Sequence, residues 1–299
     1  MQGLMKIPLP GFCRSRYYIC RGFIMPNEES LTPEEKWEKA TLANNFIFYK
    51  VMRNHPEECK HLIELLLKVN IKSMEIKGEE IIDIDHDSKG IRLDVFVKED
   101  DRMYDIEIQI VDTKELPERA RYYQGIMDID TLKAGQQYKD LRDSHIIFIC
   151  LEDIFNNGLP INTFENICLE DLKTRLNDRA YKHFFIAPMC ARMIRDMEVR
   201  EFFEFLISNS VENGYTSRLD EYVKDAKHNI RWRQEYMTYE RIQAYAFDRG
   251  KEKGAQQKAV EAAVNLLKMN KLSPEEIVQV SGLTLEQVLE LKEQVTAKV

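Results

Sequence analysis

A chain of 299 residues, 31% charged and 44% hydrophobic, has room for one full core plus a smaller unit and the composition of an ordinary globular protein. Its formal net charge of -8 excludes a surface that attracts nucleic acid by bulk positive charge, and no stretch nears the roughly eighteen uninterrupted apolar residues of a membrane helix. The six cysteines, Cys13, Cys20, Cys59, Cys150, Cys168 and Cys190, are scattered without a Cys-x-x-Cys pair. They read as reduced thiols of a cytoplasmic protein, which excludes a zinc finger or a disulfide frame.

The first residues carry Lys6, Arg14, Arg16 and Arg21, no acids and a broken apolar pattern. That is poor material for a signal peptide, so residues 1–24 are expected to be a disordered extension. At Thr32-Pro33 a helix start is legible, with Thr32 as N-cap and Pro33 in the first turn. The helical run His61–Leu67 carries Glu64 among leucines, on composition the wet edge of an amphipathic helix. Met74–Asp85 reads as the first core strand. From Glu75 to Glu118 fifteen acids face six bases, a net of minus nine. Such a field repels phosphate unless a bound divalent cation reverses it locally.

Ile91 to Ile110 reads as two strands joined by a tight turn through Asp100 and Asp101. Ile91, Leu93, Val95 and Val97 make one apolar face; Tyr104, Ile106, Ile108 and Ile110 make the other. Period-two geometry then sets Asp94 on the opposite face of the first strand, and Glu107 and Gln109 together on that of the second. Carboxylates between apolar neighbours call for a cation. Magnesium, a hard ion taking one or two carboxylates plus phosphate oxygens, fits them in kind. An ordinary solvated polar face has equal weight on spacing alone.

Leu116–Ala134 is expected to be a helix begun at Pro117 and stopped by Gly135. It presents Arg119, Arg121 and Gln124, either as phosphate contacts or, for the arginines, as ion-pair partners of Glu115 and Glu118. Ser144–Leu151 is apolar enough for a central strand buried on both faces, with short strands at Thr163–Leu169 and His183–Ala187 and with His145 and His183 as core or edge residues. No nucleophile triad or phosphate loop is present. Beyond Pro188 the pattern is helical: Ala191–Ser208, then Leu219–Arg249 with Arg231-Trp232-Arg233, which suits a helix docked on the core more than a nucleic-acid grip. Gly250–Lys258 is the linker candidate. The tail, 259–299, has the short helices and Gly-bearing turn of a helix-turn-helix, but acids in its last helix favour protein association over DNA.

The order Asp94, then Glu107-Ile108-Gln109, then Arg119-Ala120-Arg121-Tyr122-Tyr123 and Gly135-Gln136-Gln137-Tyr138-Lys139-Asp140-Leu141 resembles the PD-(D/E)XK nuclease family transposases, the Rpn-type recombination-promoting nucleases. The resemblance covers about Leu42 to Leu151 well and the helical part more loosely. It implies an α/β, restriction-endonuclease-like mixed sheet flanked by helices over residues 25–190, with a helical extension at 191–250 packing on that core. It also implies a Mg2+-dependent DNA endonuclease associated with recombination or mobile elements. Asp94 and Glu107 would then hold the metal with help from Glu64, Gln109 would position water or phosphate, and Arg119, Arg121 and Gln124 would meet DNA. Gln109 stands where the wider superfamily has lysine. That keeps a second reading open: a DNA-binding or assembly protein that retains the fold, self-associating through its C-terminal helices.

Overall fold

The computed structural model describes residues 17–20, 23–26, 31–77, 81–82, 91–92, 95–99, 101–111 and 113–296. Its strands are β1 (Tyr17–Cys20), β2 (Phe23–Pro26), β3 (Glu75–Lys77), β4 (Ile81–Ile82), β5 (Ile91–Arg92), β6 (Val95–Lys98), β7 (Arg102–Gln109), β8 (Asp143–Cys150), β9 (Ile161–Phe164) and β10 (Ala180–Ile186). Its helices are α1 (Pro33–Lys39), α2 (Asn45–Asn54), α3 (Pro56–Leu67), α4 (Leu116–Thr131), α5 (Ala187–Met193), α6 (Met197–Ser208), α7 (Gly214–His228), α8 (Ile230–Met269), α9 (Pro274–Ser281) and α10 (Leu285–Thr296). The residues divide into two compact units, one ending at Arg233 and one beginning at Gln234.

In the first unit a mixed sheet runs in the order β3-β6-β7-β8-β10-β9. The expected hairpin is there from Val95 to Gln109, shorter than the expected Ile91–Ile110: β6 pairs antiparallel with β7, Val95 opposite Ile106 and Phe96 opposite Asp105. β7 then runs parallel to β8, so the chain must cross over between them, and α4 is that crossover. β10 lies parallel to β8 and antiparallel to the edge strand β9.

Each face of the sheet follows from alternation. Met103 on β7, Ile146 and Phe148 on β8 and Phe184 on β10 join Leu116, Ala120, Tyr123, Ile126 and Met127 of α4 in one buried cluster. The positions 116, 120, 123 and 127 form a single helical stripe, which is why α4 lies flat there. Each large side chain buried this way contributes roughly 1.5–3 kcal/mol. The alternate residues Val95, Val97, Tyr104, Ile106, Ile108, Ile147, Ile149 and Phe185 are equally buried on the other face. There Phe185 stacks on Phe203 of α6, and α2, α3 and α7 complete that helical layer with Phe48, Leu62 and Leu219.

Local signals explain several boundaries. Thr32 caps α1 with a reciprocal pair of hydrogen bonds to Glu35, as expected. The single helix expected over Ala191–Ser208 is two, because Asp196 accepts from Val199 N and starts α6 afresh. The expected Leu219–Arg249 helix divides at Asn229, between α7 and α8. The strand expected over Thr163–Leu169 ends at Phe164. The first strand is cut as well: Glu75–Lys77 joins the main sheet, while Ile81–Ile82 pairs with Ile91–Arg92 in a separate ribbon. Residues 17–20 and 23–26 pair as a short antiparallel ribbon; the rest of the expected extension, 1–16 and 21–22, lies outside the described residues.

In the place of a linker at 250–258, α8 runs on unbroken to Met269. In the second unit Ala263, Ile277, Leu283 and Val288 form a small core of their own. Gly282 ends α9 at φ 73°, a left-handed turn that glycine adopts without strain. Among the described residues, no helix is long and apolar enough to cross a membrane.

Candidate active site

β7 carries the site because its alternation aims Asp105, Glu107 and Gln109 at α4 while Tyr104, Ile106 and Ile108 fill the opposite core. Asp105 is wholly buried and Glu107 is 2% exposed. Burying a carboxylate among apolar side chains is costly unless a cation answers it. Arg119, on the first turn of α4, is that cation. Its Nη2 donates to Glu107 Oε2 at 2.5 Å and its Nη1 to Gln109 Oε1 at 2.8 Å.

The guanidinium is itself held. Nε and Nη2 both donate to the Tyr123 hydroxyl, at 3.3 and 3.0 Å. Its Cζ lies 5.4 Å from the Tyr123 ring centroid and 5.6 Å from that of Phe148. The i,i+4 spacing of Arg119 and Tyr123 on α4 makes the pair, and Phe148 comes from β8, where it pairs with Glu107 in register. Gln109 is pinned at its other end, Nε2 donating to Val111 O at 2.5 Å. Burial first, then the negative charge of Glu107, raises the Tyr123 hydroxyl well above the usual tyrosine range, with Asp105 adding to the effect. Tyr123 therefore stays neutral at any working pH.

The structure thus brings three of the sequence-chosen residues, Glu107, Gln109 and Arg119, into one hydrogen-bonded group. Asp94 lies outside the described residues. Arg121 is exposed on α4, open to a nucleic-acid backbone. Gln124 is not open to one: it is buried, donating to Ser144 Oγ at 2.6 Å and accepting from Lys182 Nζ at 2.5 Å, so it ties α4 to β8 and β10. Nor is Glu64 brought to the group. It sits on α3, in the layer over the opposite face, and its Oε1 accepts from Ile71 N at 2.8 Å, closing the loop after that helix. Sequence reasoning passed over Tyr123 and Asp105, although the four-residue step from Arg119 and the two-residue step from Glu107 were both visible.

Among the described residues, no group of three or more His, Cys, Asp and Glu side chains is placed to hold a metal ion. What β7 offers is hard oxygen: the buried Glu107 carboxylate, with Asp105 behind it. In kind this donor chemistry suits magnesium, which takes few protein carboxylates. Lys98, on the same sheet face, is committed to an ion pair with Asp130.

The family model described as PD-(D/E)XK nuclease family transposase matches residues 43–202, from before α2 into α6. No curated protein and no solved structure matches the chain. The matched span takes in the whole six-stranded sheet, α4 and the Glu107–Gln109–Arg119 group, and the chain belongs to the PD-(D/E)XK nuclease family transposases.

Proposed function

We propose that the protein is a magnesium-dependent endonuclease that hydrolyses phosphodiester bonds in DNA, in a recombination or mobile-element setting. The observation that carries this is Glu107, a carboxylate buried on the central strand, fixed by Arg119 and aligned with Gln109 inside the span that matches the nuclease family. Asp94, which directly precedes β6, and Glu107 on the neighbouring β7 would hold the ion; Glu64 is given no part because its carboxylate closes a loop. A bound magnesium would polarise the phosphoryl group and acidify an attacking water. Gln109, pinned at both ends of its amide, orients what lies beside Glu107 and transfers no proton. Arg121, exposed one residue past Ala120, contributes a phosphate contact through its planar fork.

Supercoiled plasmid incubated with the protein and magnesium, against an EDTA control, tests the reading: nicking that requires the metal supports it, and intact plasmid at micromolar protein removes it. A second reading, a DNA-binding or assembly protein without efficient cleavage, draws on Arg119 neutralising the very carboxylate the ion would use. On either reading the tail is a protein-facing unit. Leu285 and Leu289, one turn apart on α10, are 43% and 44% exposed, and self-association through them would show as a faster-sedimenting full-length chain that Leu289→Glu returns to monomer.

A further inference from the structure

Hydrolysis of a phosphodiester adds negative charge to the phosphoryl oxygens as the water attacks, and a fixed positive charge aimed there lowers the barrier more than any contact made equally in the ground state. The face of β7 that would do this chemistry is acidic, with Asp105 and Glu107 both buried on it. Gln109, the residue two positions beyond Glu107, is neutral. Arg119 is the cation hydrogen-bonded to both side chains of the Glu-x-Gln pair.

Two observations set Arg119 apart from a surface ion pair. Four hydrogen bonds and two aromatic rings fix its guanidinium, so it is pre-organised and little entropy is lost when a substrate arrives. Its side chain is 29% exposed while that of Glu107 is 3% exposed, so the cation is the more accessible of the two.

Resting on the nuclease reading above, we infer that Arg119 is the positioning cation of the site: it locks Glu107 and Gln109 into one unit and supplies beside the scissile phosphate the fixed positive charge that Gln109 lacks. Tyr123 and Phe148 hold that charge in place. Arg119 competes with the metal for Glu107 and assists the chemistry, so its removal has opposite effects on the two. A purely structural arginine would lower both together.

The experiment uses the full chain and four proteins: wild type, Arg119→Gln, Arg119→Lys, and the double variant Gln109→Lys with Arg119→Gln. Three quantities are read: single-turnover nicking at saturating magnesium and DNA, magnesium affinity by calorimetry without DNA, and melting temperature. Arg119→Gln is expected to nick about 100-fold more slowly, the scale for losing one transition-state donor, while binding magnesium at least as tightly as wild type. Arg119→Lys keeps the charge and is expected within about tenfold of wild type, on the same scale. The double variant, with the cation moved to position 109, is expected to recover at least about tenfold over Arg119→Gln. Arg119→Gln nicking at the wild-type rate, nicking and magnesium affinity falling together, or no recovery in the double variant each overturns the inference while leaving the nuclease reading intact. If Arg119→Gln does not fold, a folded Arg119→Lys that has lost nicking overturns it, and one that nicks upholds it. A wild-type protein that never nicks removes the nuclease reading and this role with it.

Discussion

Lys182 donates to Gln124 Oε1 at 2.5 Å, and the nitrogen of the same amide reaches Ser144 Oγ at 2.6 Å. One side chain of α4 therefore bridges two parallel strands on the face that carries the site. Burial lowers the Lys182 pKa, with Asp178 and Asp128 opposing that shift, so its ammonium relies on the few acceptors it has. Gln124→Ala takes one acceptor from Lys182 and the bonding partner from Ser144. The expected cost is about 1–3 kcal/mol, the usual figure for polar groups left buried without partners, read as a lower urea midpoint with an unchanged slope. DNA affinity of the folded variant should equal wild type. A variant that keeps its urea midpoint but loses DNA binding would return Gln124 to the nucleic-acid surface.

His145 and His183 set the acid limit of the fold. Nδ1 of His145 and Nε2 of His183 lie 3.0 Å apart, and His183 Nδ1 lies 3.2 Å from Thr163 Oγ1. His145 is also stacked between Tyr104 and Tyr181. Burial, then neighbouring His183 and Arg102, brings His145 down to about 3, and burial brings His183 down to about 4. An unfolded histidine titrates near 6.5. Below that pH the unfolded chain takes up protons the folded one refuses, so stability falls as pH falls from about 6.5 towards 4, by roughly 1.4 kcal/mol per pH unit for each proton. His183→Gln removes one such proton and should flatten the dependence of the urea midpoint between pH 6.5 and 5. Equal slopes in variant and wild type would refute the assignment.

Elements governed by periodicity were legible in the sequence: β7, α4 and the doubly buried β8 lie where alternation and helical spacing set them. The Glu107–Gln109 pairing was legible for the same reason, since a period of two leaves no other arrangement. Features decided by tertiary competition were not. Arg119 reads equally well as a phosphate contact, and only the packing of α4 onto β7 directs it to Glu107. Gln124 and Glu64 looked solvent-facing because no local pattern announces a partner such as Lys182, 58 residues away, or a loop amide such as that of Ile71. The helix through Gly250 and Gly254 was missed because each glycine costs only about 1 kcal/mol in a helix, and the surrounding Lys, Glu, Gln and Ala favour helix.

Gly282 isolates the conformational part of a turn's energy. Its φ is +73° and a Cβ placed there would meet nothing within 4 Å. Gly282→Ala should therefore cost only the left-handed backbone penalty, about 1–2 kcal/mol, with Gly282→Asn costing less because asparagine visits that region. Hydrogen exchange of α9 and α10 amides in the full chain reads this directly. Equal protection in Ala and Asn variants would show that the turn rearranges.

The two carboxylates proposed to hold the ion make the sharpest test of function. Asp94→Asn and Glu107→Gln keep shape and discard charge. For Glu107 the stability change should be small: the variant loses a charge-assisted bond from Arg119 worth about 1.5–3 kcal/mol, but is relieved of desolvating a carboxylate that is 3% exposed. Nicking should respond quite differently. Loss of a group that supports a ligand typically costs on the order of 10 to 100-fold, so loss of a ligand itself should exceed about 100-fold, with magnesium affinity falling in parallel. Gln109→Ala, which leaves both carboxylates and Arg119 in place, should fall within the smaller range. A magnesium titration of plasmid nicking, run beside melting curves for each variant, separates lost chemistry from lost fold. If Asp94→Asn and Glu107→Gln nick as fast as wild type while folded, metal-dependent cleavage by this face of β7 is excluded, and a DNA-binding or assembly protein on the nuclease fold is what remains.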